Sequence, residues 1–317
     1  MKTRLRSAVV FAICLFIGLS PANAWNPIGH MAVAYAAWQQ MTPATRQRAL
    51  VLLKKNPNYK TWKAIIPAGT TPDDQDLYIF MMAATWPDQI KASNSGYKKD
   101  ADTPPQTDEA TRNTGYRDKY MHRYWHFIDI PFSTDGSSLS AASTPTPNAE
   151  TQIGIFRQVL ASNASDPLKS YDLVWIMHLV GDVHQPLHGS TRVTSAPGQQ
   201  HGDAGGNSVK LTNSPGDLHG YWDNILGTGE TKDFKKAAKA AQLLPAAGAD
   251  ASDANEADWV KESFDRAKSS VYVVPVGAAL GPYTLDEAYS SNSLAIAQQR
   301  VALAGARLAN LLNENLK

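Results

Sequence analysis

The sequence predicts one mainly α-helical domain with at most a short β-hairpin, and three observations carry that expectation. Apolar residues recur every three or four positions through most of the chain. Strand signals are sparse. No internal repeat and no charged linker divides the 317 residues.

The first 24 residues stand apart from the rest. Lys2, Arg4 and Arg6 give a positive start, an apolar run extends from Ala8 to about Leu19, and Ala22-Asn23-Ala24 supplies small residues before Trp25. This is the pattern of a secretory signal peptide. The competing reading is a membrane anchor, but the run is shorter than the roughly 20 residues a bilayer requires. Residues 1–24 are therefore expected to be a leader cleaved at Ala24/Trp25. Residues 25–317 are then a single secreted or periplasmic domain. Loss of the leader removes three cations from a formal charge of +1, giving −2, and removes Cys14, the only cysteine. An exported chain without disulfides is held by its core or by metals. The near-zero charge excludes a binder that relies on a strongly basic face. Positive charge for a polyanionic substrate would then come from bound divalent ions.

The elements follow in order. Met31 to Met41 is apolar and alanine-rich, and Thr42-Pro43 reads as the cap and first turn of a second helix running to about Lys55. Leu77 to Ile90 reads as one further helical stretch. Asn148 to Leu160 and Pro167 to Val183 follow, the latter burying Leu173, Trp175, Ile176, Leu179 and Val180. Trp259 to about Val271 is amphipathic. Leu294, Ala297, Val301, Ala304, Leu308 and Leu311 mark a long closing helix. Ser208 to Thr212 is the best strand candidate. Residues 93–118, 133–147 and 189–206 read as surface loops.

The histidines and aspartates carry the chemistry. His178 and Asp182 stand four apart in an apolar helical run, and His219 and Asp223 repeat that spacing. One helical turn places each pair on one face, about 6 Å apart along the axis. Imidazole and carboxylate converging from one face suit zinc. A single such pair is more often an ordinary hydrogen-bonded couple; two pairs, with His188 six residues after Asp182 and Pro186 ending the helix between them, shift the balance to metal. Asp88 in Trp86-Pro87-Asp88 and His126 in Trp125-His126-Phe127 lie among aromatic residues. Such burial is costly without a partner, and a shared cation explains all of these groups.

These segments resemble the trinuclear-zinc class I nuclease family of fungi, plants and bacteria, typified by nucleases S-one and P-one. The resemblance rests on Trp25 with His30 five residues later and on Trp86-x-Asp88-x-x-Lys91. It continues through His126-Phe127-Ile128-Asp129, the segment from His178 to His188, Gly205-Gly206-Asn207, and Leu218-His219-x-x-Trp222-Asp223. The family implies an all-helical fold shared with zinc phospholipase C and three Zn2+ ions. One would be held by Asp88, His126, His178 and Asp182, and a second by His188, His219 and Asp223. The third would take the α-amino nitrogen and carbonyl of Trp25, with His30 and a bridging Asp182. His184 is expected to point away from the ligand face, His122 to sit in a polar stretch and His201 in a loop.

Such a centre lowers the pKa of a water and neutralises phosphate charge. The expected reaction is attack on phosphorus by metal-bound hydroxide, and the family implies 5′-phosphorylated products. Asp88 would orient or deprotonate the water. Lys91 and, by resemblance, Asn207 would contact the phosphate. Phe127 offers a face for an unstacked base and Asp129 an acceptor for its edge, a basis for single-strand preference. The competing readings are a solvated Lys91, a core Phe127 and a turn Asp129. The expected substrates are RNA, single-stranded DNA and 3′-nucleotides, cleaved by a monomeric endonuclease. The rivals are a zinc phospholipase C, whose second zinc typically takes Glu where this chain has Asp223, and a secreted zinc-binding module without catalysis.

Overall fold

The computed structural model describes residues 25–139, 145–213 and 215–316. The expected leader, with Cys14, and part of the expected 133–147 loop lie outside the described residues. The described chain is mainly α-helical, and no helix among those residues is long and apolar enough to cross a membrane.

Local chemistry starts most of the helices. Asn26 caps the Pro27–Gln40 helix, its side chain accepting from the amides of Ile28 and Gly29, with proline in the first turn. Thr42 caps Pro43–Leu53 and Thr71 caps Pro72–Ala83 in the same way. Asn148 and Thr151 form a reciprocal capping box at the start of Ala149–Ala161. Asp286 caps the 29-residue closing helix Glu287–Asn315.

The Asp166–Asp182 helix is the axis of the molecule. Every residue from Lys169 to Asp182 is buried, so this helix is covered all round. Pro27–Gln40 packs against both it and Glu287–Asn315, which also touch each other, and small residues set the approach. A Cβ on Gly305 would fall 2.5 Å from Ala36 Cβ and 3.1 Å from the Val33 carbonyl, so only glycine admits this crossing. Gly181 has the same role nearer the site, where a Cβ would meet His30 Nδ1 at 2.9 Å. Seven tryptophans are fully buried, among them Trp25, Trp86, Trp125, Trp175 and Trp222.

Several expectations need correction. The apolar stretch from Leu77 to Ile90 is two helices, Pro72–Ala83 and Trp86–Gln89, with Ala84 and Thr85 between them. The break frees the Ala84 carbonyl, which the site uses. The 259–271 stretch is an α-helix over Glu256–Arg266 that widens into a π-helical turn over Ala267–Val271. Ser208–Thr212 forms only isolated bridges, Lys210 with Asp217 and Leu211 with Tyr283. The two strands are instead Pro131–Ser133 and Thr191–Val193, and they pair in parallel rather than as a hairpin. Residues 189–206 are not simply a surface loop. Ser190, Thr191, Arg192, Thr194, Gln199 and Asp203 are buried there, and the Asp203 carboxylate accepts from the amides of Arg192 and Gly206.

Candidate metal centre and cleft

The C-terminal end of the Asp166–Asp182 helix carries His178 and Asp182 on one face, as their spacing predicts, with Nε2 and Oδ2 3.4 Å apart. His126, at the end of a 3-10 turn over Arg123–Trp125, brings Nδ1 to 3.0 Å from both Asp182 Oδ2 and His178 Nε2. His30, from the first helix, stacks on His178 with centroids 3.8 Å apart. Its Nε2 is 3.4 Å from Asp182 Oδ1 and 3.9 Å from Asp88 Oδ2. Asp88 Oδ1 is also 3.6 Å from His178 Nε2, so both aspartates approach the Nε2 atoms of the two stacked imidazoles. Beyond Pro186 the chain turns, and His188 Nε2 comes 3.1 Å from His219 Nε2, which lies 3.5 Å from Asp223 Oδ2.

Three groups of potential ligands result: His30, Asp88 and His178; His126, His178 and Asp182; His188, His219 and Asp223. Their separations suit a cation. Tetrahedral bonds of about 2.0–2.1 Å hold ligand atoms roughly 3.4 Å apart. Among the described residues, both ring nitrogens of buried His30 and Oδ1 of buried Asp182 have no hydrogen-bond partner, although each faces other ligand atoms. Burial pushes the carboxyls of Asp182 and Asp223 well above the usual range, with Asp88 adding to both. Burial likewise pushes His30, His126, His178 and His188 well below the usual imidazole range. A bound cation reverses the carboxyl shifts and makes use of the neutral imidazoles. The residues fit a multi-metal centre.

A second layer aims the donors. Backbone carbonyls engage the Nδ1 atoms of three histidines: Ala84 for His178 at 2.8 Å, His126 for His188 at 2.7 Å and Gly205 for His219 at 2.7 Å. With Nδ1–H donating, Nε2 of each ring is left as the lone-pair donor toward the cluster. Gln185 Nε2 donates to Asp223 Oδ1 at 2.8 Å. Sequence reasoning did not single out Gln185, although it lies inside the recognised segment between Asp182 and His188. The Ala84 carbonyl gave no signal, because the break after Ala83 had none.

Trp25 is buried at the same place. Its indole nitrogen donates to the Gly181 carbonyl at 3.0 Å, and the next amide, of Asn26, donates to the Asp223 carbonyl at 3.1 Å. The side chain that begins the expected mature chain is thereby anchored to the residue preceding Asp182.

The His188, His219 and Asp223 group opens, through its two histidines, onto a cleft of about 160 Å³. Lys91, Phe127, Asp129, Asn207, His188 and His219 line it, so all four expected substrate contacts share one cavity with the two histidines of that group. Phe127 and Asp129 are half-buried at its wall rather than packed in the core. Lys91 is not a solvated lysine: its side chain is 6% exposed, and Nζ lies 2.8 Å from Asp88 Oδ1. Asn207 Nδ2 donates to the Ala204 carbonyl at 2.7 Å, which fixes the side chain at the turn after Gly205-Gly206. Burial, with Asp203 and Asp102 nearby, pushes the Asp129 carboxyl up to about 7. Gly205, from the Gly205-Gly206-Asn207 segment, also lines the cleft, as do Arg123 and Asp102, which were not anticipated.

The other histidines are accounted for without metal. His184 points away from the ligand groups, its Nδ1 bonded to the Val180 carbonyl and its Nε2 to Arg307. His122 is buried rather than in a polar stretch. It stacks on Trp125 at 3.6 Å and bonds Asp118 and Tyr124. His201 is exposed.

A comparison with curated proteins finds no match. A protein-family model, described as S1/P1 nuclease, matches residues 25–317, nearly the whole chain. With the ligand groups and cleft described above, the match identifies the chain as a member of the S1/P1 nuclease family, a hydrolytic nuclease acting on phosphodiesters of single-stranded nucleic acids.

Proposed function

We propose that the protein is a secreted, monomeric, three-zinc endonuclease that cleaves RNA and single-stranded DNA, hydrolyses 3′-nucleotides, and leaves 5′-phosphates. The observation that carries this reading is the presence of three His/Asp groups, one of which, through His188 and His219, lines a single cleft with Phe127, Asp129, Lys91 and Asn207. Asp88, His126, His178 and Asp182 would hold one ion. His188, His219 and Asp223 would hold a second. His30, Asp182 and the backbone of Trp25 would hold the third. Bound zinc supplies an activated water and neutralises charge on phosphorus.

The chain's own groups do the rest. Asp88 accepts or orients the proton of the attacking water, and its ion pair with Lys91 keeps Lys91 Nζ beside the reacting centre. Lys91 and Asn207 hold phosphate oxygens, and the rigid turn at Asn207 spares ordering cost on binding. Phe127 stacks an unpaired base while Asp129 reads its edge, which a base within a duplex cannot offer. Residues 1–24 are removed as a signal peptide in this reading, and 25–317 form the single catalytic domain.

Comparing turnover of single-stranded DNA with that of phosphatidylcholine tests the assignment. Cleavage of the nucleic acid is expected, and turnover of lipid alone would establish the phospholipase reading instead.

Processing enters the same account. In the precursor the nitrogen of Trp25 is an amide, a poor zinc donor; cleavage turns it into an amine. Protein carrying one extra N-terminal residue is expected to lose one zinc. Its activity should fall at least by the roughly 10–100-fold that even an outer-shell change costs. Metal analysis and nuclease assay of the two forms side by side check this, and equal zinc content in both would refute it.

A further inference from the structure

The cleft contains an ion pair that the reading above leaves unused. Arg123 and Asp102 both line it, with Arg123 Nη2 2.9 Å from Asp102 Oδ1. The two ends of this pair are held very differently. Arg123 sits on a fixed base: its amide donates to Asp100 Oδ1 at 3.0 Å, and the preceding amide, of His122, donates to Asp100 Oδ2 at 2.8 Å. His122 is locked in turn by its stack on Trp125 and its bond to Asp118, in a left-handed backbone conformation with φ of 47°. The Arg123 side chain is 18% exposed, whereas that of Asp102 is 58% exposed in the 93–118 loop. A cation on a rigid mount is thus covered by an anion that water already reaches.

We propose that Arg123 exchanges Asp102 for the phosphate adjacent to the scissile one, so that the cleft grips a polynucleotide more tightly than a single linkage. The inference rests on the nuclease reading of the cleft. A guanidinium meets a phosphate with two parallel N–H···O bonds, which a carboxylate partner mimics in shape and charge. An ion pair with one exposed member contributes little net free energy, so the exchange is nearly balanced and the incoming strand decides it. Lys91 already pairs with Asp88 at the reacting end, which leaves Arg123 as the cleft-lining cation suited to a second phosphate. The flanking Asp102 weakens the binding of any polyanion, and this sets the sign of its own effect.

Steady-state kinetics of the zinc-loaded enzyme on a dinucleotide, which has one phosphodiester, and on a single-stranded ten-mer test the assignment across a salt series. Arg123→Ala is expected to raise KM for the ten-mer about tenfold and for the dinucleotide by a much smaller factor. It should also flatten the salt dependence of ten-mer kcat/KM by about 0.7 in log–log slope, one phosphate contact on a single strand. Asp102→Asn is expected to lower the ten-mer KM, and Arg123→Lys to restore part of the loss. Equal losses on both substrates, an unaltered salt slope, or an unaltered ten-mer KM in Asp102→Asn would overturn the Arg123 assignment alone. A wild-type enzyme that cleaves neither substrate overturns the nuclease reading and the assignment with it.

Discussion

Stripping the metal with excess EDTA is expected to lower the melting temperature by about 10 °C or more and to abolish nuclease activity. The expectation follows from what remains when cations leave. His30, His126, His178, His188, His219, Asp182 and Asp223 are buried, with the part-buried Asp88 among them. Three carboxylates then face one another with Lys91 as their counter-charge among the described residues, and burial drives Asp182 and Asp223 to take up protons. A ligand that binds only the native state stabilises it by about 4 kcal/mol when present at 1,000 times its Kd. At the roughly 2–4 °C per kcal/mol expected for domains approaching this size, one such ion shifts the midpoint by about 8–16 °C and more than one by at least that. With Cys14 in the expected leader, no disulfide shares the load. Calorimetry of the metal-loaded and chelated protein at one pH reads the effect directly, and superimposable melting curves would refute it.

Glu262→Ala is expected to destabilise the metal-loaded protein by about 3 kcal/mol, the cost of leaving buried guanidiniums without their carboxylate. Glu262 binds Arg300 Nη1 at 2.6 Å and Arg307 Nη1 and Nη2 at 2.7 Å each. Arg300 and Arg307 project from the closing helix into the interior, and burial pushes the Arg300 guanidinium down to about 10 despite Glu262. The value lies at the low end of the range for broken buried pairs because the Glu262 side chain is itself 30% exposed. Asp253, 3.5 Å from Arg307, compensates little at that distance. The effect should also reach the metal centre. Arg300 Nε donates to the His184 carbonyl and Arg307 bonds its Nε2, so the network clamps the turn between Asp182 and His188. A fall in melting temperature of about 6–12 °C is expected. A fall under 2 °C would show that these guanidiniums do not depend on Glu262.

The candidate ligand groups were legible because their chemistry coincides with helical geometry. The four-residue spacing of His178 and Asp182, and of His219 and Asp223, needs only 3.6 residues per turn to converge. Pro186 signalled the turn that brings His188 back, and Thr42-Pro43 marked a helix start that the structure keeps. What stayed hidden depends on partners distant in sequence. Thr191–Val193 is a buried strand within a polar stretch because Arg192 is satisfied by Asp203, by the Gly277 carbonyl and by the face of Tyr272. His184 points away from the ligand groups as expected, although it lies in the turn past the helix end at Asp182, and that side is interior because Arg300 and Arg307 meet it. In sequence, those arginines only interrupt the apolar repeat of the closing helix. The cleft residues split the same way: Phe127, Asp129, Lys91 and Asn207 were anticipated, whereas Arg123 and Asp102 required the fold to bring the 93–118 loop over the cavity.

The central claim is that these His/Asp groups form a three-metal centre completed by the processed N-terminus. Elemental analysis of protein purified with Trp25 as its first residue, without chelator, tests it most directly. Three zinc ions per chain are expected. Protein that retains no zinc while cleaving single-stranded DNA at full rate would contradict it.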